Sequence, residues 1–226
     1  MRVERQTTAG MVLVGALAID VAIGIAHVVN LNGLPIFGRS LQFFDLGGEQ
    51  NLPTWWSGAK LFLIGVLLAL LLPRLGADRR SFLVIAAAAL AFAFLSLDEF
   101  ASIHEFVGRR TRFEGLPVSG LWPFLFGGAG LGVAAVLVVA GRPLWARHRA
   151  AAMCILGGLA AYVLFAASLD LVVNIGPSSD PLVAVTSFVE EMAEMIAASV
   201  ILYGAWRLVD PVAMGETATA STERGR

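Results

Sequence analysis

Six apolar runs, each close to the roughly 20 residues an α-helix needs to cross a hydrocarbon core, leave this chain little choice of fold. With the polar turns that continue their spacing, they predict helices over residues 11–31, 55–72, 81–107, 121–140, 151–174 and 182–208. Pro and Arg punctuate the connections, at Pro73-Arg74, Arg79-Arg80 and Gly141-Arg142-Pro143. Only 15% of the 226 residues are charged and 58% are hydrophobic; a soluble domain carries about 25% charged residues, so much of this surface is built for lipid. The first run follows Arg2 and Arg5 as a signal peptide would, but it is too long for an h-region and no small-x-small cleavage site follows it. The expectation is an all-α, polytopic six-transmembrane-helix bundle over residues 1–210. Residues 211–226, polar and poor in large apolar side chains, are expected to form a disordered tail.

Basic residues set the expected orientation, because Lys and Arg concentrate on the cytoplasmic side. With the N-terminus inside, that side holds Arg2, Arg5, Arg74, Arg79, Arg80, Arg142, Arg147, Arg149, Arg207, Arg224 and Arg226, against Arg39, Lys60, Arg109, Arg110 and Arg112 outside. Both termini are therefore expected in the cytoplasm of a bacterial-type inner membrane, with the bilayer as the first partner. A net charge of -1 offers no basic face to nucleic acid. The single Cys154 excludes an internal disulfide and reads as a packing residue. Gly128 and Gly132 form a GxxxG spacing in the fourth run, read as a helix-packing device.

Charged side chains inside membrane helices cost roughly 2.5–3.5 kcal/mol each at the helix centre on insertion scales, and this chain concentrates them. The third run carries Asp98, Glu99, His104 and Glu105; the sixth Glu190, Glu191 and Glu194; the fifth ends in Asp170 and Asn174; the first holds Asp20 and His27. Asp98, Ser102 and Glu105 fall at i, i+4, i+7, and Glu190 and Glu194 at i, i+4, so each helix aims a polar face one way. All but Asp20 are expected in the outer half of the bilayer or at its outer interface. Those faces should turn inward and meet, with a carboxyl of Asp98 or Glu105 within about 8 Å of one of Glu190 or Glu194, because lipid stabilises none of them; Glu99, His104 and Glu191 point off these faces. Lys60 lies below Trp55-Trp56, where a lysine snorkels; its Ser57-x-x-Lys60 spacing also matches some acyl-transfer enzymes. The first outer connection, residues 32–54, is apolar and adds Asp45 and Glu49. It reads either as an interfacial segment or as a lid over the acids.

Three chemistries fit such a cluster: a salt-bridge network, a metal site, or a protonatable pathway. Carboxylates and imidazoles hold zinc and non-haem iron or manganese, and the candidate ligands are His27, Asp98, His104, Glu105, Glu190 and Glu194, with Glu99 and Glu191 as acid–base groups. Neither a Glu-x-x-His pair nor a His-Glu-x-x-His run occurs, which argues against a ferritin-like di-iron centre and a zincin.

The strings Phe44-Asp-Leu-Gly-Gly-Glu-Gln-Asn-Leu-Pro-Thr-Trp55, Ser96-Leu-Asp-Glu-Phe-Ala-Ser-Ile-His-Glu105 and Glu190-Glu-Met-Ala-Glu-Met195 resemble those of uncharacterised bacterial multipass membrane proteins. That resemblance implies the six-helix architecture and no activity. The arrangement is distantly similar to the ceramidase-like intramembrane metal hydrolases, though this chain lacks their His-x-x-x-His pair and one helix. The expected function is a metal-dependent membrane enzyme acting on a lipid or other amphiphile. The alternatives are a small proton- or cation-coupled transporter and a structural subunit of a membrane complex.

Overall fold

The computed structural model describes residues 2–31, 41–48, 50–75, 78–111, 122–175 and 181–209, and no strand occurs among them. Long helices occupy the six apolar runs: α1 (Arg2–Leu31), α3 (Leu52–Ala69), α4 (Arg79–Ala101), α6 (Trp122–Ala140), α8 (Arg149–Ile175) and α9 (Pro181–Val209). Short helices α2 (Leu41–Phe44), α5 (Ile103–Arg110) and α7 (Arg142–Arg147) lie between them. Among the described residues three segments are long and apolar enough to cross a membrane: Ala9–Asn30, Leu52–Arg74 and Arg79–Ala101. Residues 210–226, and with them the expected tail, lie outside the described residues.

Local signals place the helix ends. Asn51 caps α3, its side-chain oxygen accepting the Thr54 N–H, and Pro53 sits in the first turn where its missing N–H goes unneeded. Asp78 caps α4 through both carboxylate oxygens, one accepting the Ser81 N–H at 3.2 Å and the other the Ser81 hydroxyl at 2.7 Å. The Ser81 hydroxyl and amide, with lesser help from the Arg80 amide and the Arg147 charge, hold the Asp78 carboxyl below its ordinary range. A depressed carboxylate stabilises the fold above its unfolded-state pKa and loses that contribution as pH falls through its folded one. Asp78→Ala is therefore expected to lower the melting temperature at neutral pH, with the difference from wild type shrinking as pH falls below the ordinary aspartate value of about 3.9 and on through the lowered folded-state one. Melting curves of both proteins from neutral to acid pH check this.

The third helix departs from the expected 81–107 span. It breaks at Ser102, which takes the left-handed conformation (φ 48, ψ 45), and α5 starts one residue later. The cause is local: Asp98 turns along its own helix end, accepting the His104 N–H at 2.8 Å and pairing with His104 Nδ1 at 2.9 Å. Two carboxylate oxygens thereby serve the first turn of α5, whose amides no preceding helix can satisfy. The continuous i, i+4, i+7 face of Asp98, Ser102 and Glu105 does not form.

α3, α4, α6, α8 and α9 pack in that cyclic order, and α1 lies against α9 outside the ring. The GxxxG face of α6 does not perform the expected packing: a Cβ on Gly127, Gly128, Gly130 or Gly132 would meet nothing within 4 Å among the described residues. The close approach is at α8 and α9 instead. A Cβ on Gly204 would lie 2.9 Å from the Ala151 carbonyl oxygen, and one on Gly158 3.1 Å from the Ala197 oxygen. Glycine is what lets these two backbones touch.

Apolar packing is concentrated toward one end. The main core joins Leu61, Ile64 and Leu68 of α3, Val84, Ile85 and Phe92 of α4, Trp145 of α7, Ile155 of α8 and Ala198, Ile201, Leu202 and Leu208 of α9. These come from the C-terminal parts of α3 and α9 and the N-terminal parts of α4 and α8. Arginines finish the same end: Arg74 donates to the Val209 carbonyl at 2.8 Å and Arg80 to the Ala140 carbonyl at 2.8 Å, capping the last turns of α9 and α6. Among the described residues, the polar candidates lie toward the other end or near mid-helix.

Candidate functional site

Two polar centres occupy the middle of the bundle. The first is an ion pair between Asp20 and Lys60, close to the middle of the spans Ala9–Asn30 and Leu52–Arg74. Their side chains are 0% and 1% exposed. An ammonium group has three hydrogens to place, and Lys60 Nζ meets Asp20 Oδ1 at 2.7 Å, the Met195 carbonyl at 2.7 Å and Ser199 Oγ at 3.2 Å. Asp20 Oδ1 also accepts Trp56 Nε1–H at 2.7 Å, and Oδ2 accepts the Ser199 hydroxyl. Lys60 further lies 5.4 Å from the Trp56 ring centroid. One fully satisfied network thus joins α1, α3 and α9. The expectation that Lys60 snorkels to the surface is corrected: snorkelling is unnecessary where an acid and two further acceptors await the ammonium at depth. Ser57 is not among its partners, so the Ser-x-x-Lys spacing makes no dyad.

The second centre is acidic. Glu194 of α9 accepts a hydrogen bond from the Tyr162 hydroxyl of α8 and lies within electrostatic reach of Glu99 on α4 and of Glu190 and Glu191 on its own helix. All five side chains are half-buried. Glu99 also acts on Lys60, and Met195, whose carbonyl takes the Lys60 ammonium, follows Glu194 directly. The two centres are therefore neighbours at one level of the bundle. The expected convergence of Asp98 or Glu105 on Glu190 or Glu194 is not seen among the described residues: Asp98 is engaged by His104, the Glu105 side chain lies outside them, and it is Glu99, expected to point off that face, whose charge reaches Glu194. Adjacent helical residues point about 100° apart, so the turn that sends Asp98 to α5 sends Glu99 inward.

The remaining candidates are dispersed. His27 of α1, 6% exposed, accepts the Leu46 N–H on Nδ1 at 3.1 Å, with Asp45 Oδ1 3.7 Å from the same nitrogen. It stacks on Phe188 of α9. His104 sits with Asp98 at the α4–α5 break. The side chains of Glu105, Asp170 and Asn174, and Glu49 altogether, lie outside the described residues. Among the described residues no three His, Cys, Asp or Glu side chains are placed to hold a metal ion together. The four acids feel each other's charge without enclosing one common point. A crevice of about 570 Å³ between α8 and α9, lined by Met153, Gly157, Ala161, Phe165, Ala193 and Ala197 among others, is apolar.

Tyr162, Ser199 and Trp56 escaped the sequence reading as site residues. Tyr162 left a signal, being one of two tyrosines in the chain and set in an otherwise apolar run; Ser199 left none, since serine is common in membrane helices.

A family model described as "Domain of unknown function (DUF8692)" matches residues 7–208, which takes in all six long helices and both polar centres. The chain belongs to this family. No curated protein and no solved structure matches it. The DUF8692 match agrees with the resemblance to uncharacterised proteins and brings no activity with it.

Proposed function

We propose that this member of the DUF8692 family is a six-span protein of a bacterial-type cytoplasmic membrane, with both termini inside, that carries protons through its outer half. The observation that carries this reading is the hydrogen bond from the Tyr162 hydroxyl to Glu194, with Glu99, Glu190 and Glu191 within electrostatic reach of that acid and the Asp20–Lys60 pair beside it. Ionisable groups inside a membrane bundle, turned to its interior, mark ion and proton pathways. A chain of hydroxyl and carboxyl groups on neighbouring helices passes protons by short rotations. A multivalent cation instead needs several oxygens converging on one point at about 2.0–2.6 Å, which no three of the described acids offer. The apolar core at the Arg-rich end closes the path on the inner side, as an outward-facing state requires.

A metal-dependent hydrolase would draw on the same acids, but it gains most from imidazole ligands, and His27 and His104 are engaged elsewhere. The test is purified protein in liposomes carrying an internal pH indicator. An imposed pH gradient is expected to collapse faster than in protein-free vesicles. No difference from protein-free vesicles would overturn the transport reading, and stoichiometric metal in the same preparation would favour the hydrolase.

A further inference from the structure

The chain segment after α2 does more than connect helices. Leu46, 2% exposed, inserts between Ile23 of α1 and Met195 of α9, with Trp56 of α3 and Phe188 and Met192 of α9 packed around it. Trp56 and Met195 are the residues that hold the ion pair from this side, one donating to Asp20 and the other accepting from Lys60. Leu46 is thus an apolar plug over the buried pair. Asn51 clamps the far side of the turn, its amide donating to the Asp45 and Gly48 carbonyls. Asn51 also begins α3, so the turn is hinged on a helix end.

On the α1 side a side-chain bond ties the plug, and its polarity is defined. Leu46 N–H donates to His27 Nδ1 at 3.1 Å, which requires that nitrogen to be unprotonated. The Phe44 carbonyl at 3.3 Å and Asp45 Oδ1 at 3.7 Å stand near the same nitrogen and are acceptors that receive nothing from it while it is unprotonated; Asp45 Oδ1 meanwhile accepts the Gly47 N–H at 3.1 Å. We propose that residues 44–48 are an acid-opened strap: protonation of His27 exchanges the Leu46 N–H for the Phe44 carbonyl and the Asp45 carboxylate, turns the strap and unseats Leu46 from above the Asp20–Lys60 pair. Histidine is the side chain whose charge ordinarily changes between about pH 5 and 8. With Nδ1 carrying a proton, donor faces donor at Leu46, while Asp45 attracts the new charge.

The surroundings leave His27 as the group that responds. Among the described residues Asp45 is its charged neighbour on the strap, and from α9 it faces Phe188. The acids of α9 gather with Glu99 and Tyr162. α3 turns Trp56 toward this region and commits Lys60 to Asp20, the acid within the α1 span Ala9–Asn30. The inference is independent of whether the Glu194 centre carries protons.

Hydrogen exchange read by mass spectrometry, on the full chain in lipid nanodiscs, tests it. After correction for the intrinsic pH dependence of exchange, amides of residues 44–48 are expected to exchange at least about tenfold faster near pH 5.5 than near pH 8, spanning the ordinary histidine range, while those of the α3–α4 core do not change. His27→Gln offers Leu46 an acceptor at both pH values and is expected to keep the strap protected at both. A wild-type strap indifferent to pH, or an unchanged acid response in His27→Gln, overturns the proposal. Should that variant not fold, the wild-type imidazole ¹⁵N shifts decide: an imidazole must pass from neutral to protonated over the interval in which the strap opens, and opening without such a titration overturns it.

Discussion

Lys60→Met is expected to destabilise the protein by about 3–5 kcal/mol, the range for removing one partner of a buried pair. The reason is what remains: Asp20, 0% exposed, keeps its charge requirement and loses the ammonium that met it, while the Met195 carbonyl loses its donor. Asp20→Leu alone should be comparably harmful, since it strands the lysine. The double variant Asp20→Leu/Lys60→Met replaces the pair by apolar groups of similar volume and is expected to recover most of the loss, because a buried pair is worth far less than the harm of breaking it. Denaturant-induced unfolding of the wild type and the three variants in detergent micelles closes the cycle. Losses that simply add would show that Asp20 and Lys60 act independently. Coupling of several kcal/mol would identify the pair as the fastener of α1, which lies outside the ring and has α9 as its main helix neighbour.

The long helices were legible in the sequence because such helices are written in a single variable, the length of an apolar run; four of the six lie within three residues of their expected ends, while α1 begins at Arg2 instead of 11 and α4 stops at Ala101 instead of 107. That acids buried in such helices would find polar or charged company was legible too, since lipid offers them no alternative. Which acid would take part was not. Helical periodicity put Asp98 and Glu105 on the working face, and periodicity holds only while the helix continues; the side chain of Asp98 itself makes the break at Ser102. Lys60 was misplaced for a related reason. Position along the chain fixes the depth of a Cα atom to within a turn, but a lysine spans several ångströms beyond it, and only the packing of α1 and α9 decides whether that reach ends in water or on Asp20. The GxxxG pattern of α6 met the local requirement for close packing, and among the described residues no neighbour comes within 4 Å to use it. His27 shows the same limit from another side: an imidazole among acids reads as a ligand, and here its acceptor nitrogen is taken by a backbone amide 19 residues away.

Glu194→Gln is expected to bring proton flux in liposomes down to the leak of protein-free vesicles. Glutamine preserves the volume and can still accept from the Tyr162 hydroxyl, so the helix contacts between α8 and α9 survive; what it cannot do is take up and release a proton. Tyr162→Phe removes the hydroxyl that donates to Glu194 and leaves the acid, for an expected reduction of about five- to tenfold, the kinetic counterpart of one hydrogen bond of about 1–1.4 kcal/mol. Asp98→Asn serves as the control, because Asp98 is bound up in the α4–α5 break with His104; its flux should stay near wild type even if its stability falls. The order Glu194→Gln, Tyr162→Phe, Asp98→Asn, from most to least impaired, follows from which groups meet at the centre and which are spent on capping a helix. If Asp98→Asn proved as inactive as Glu194→Gln while remaining folded, the pathway would run through the α4–α5 break, and the convergence on Glu194 would be structural.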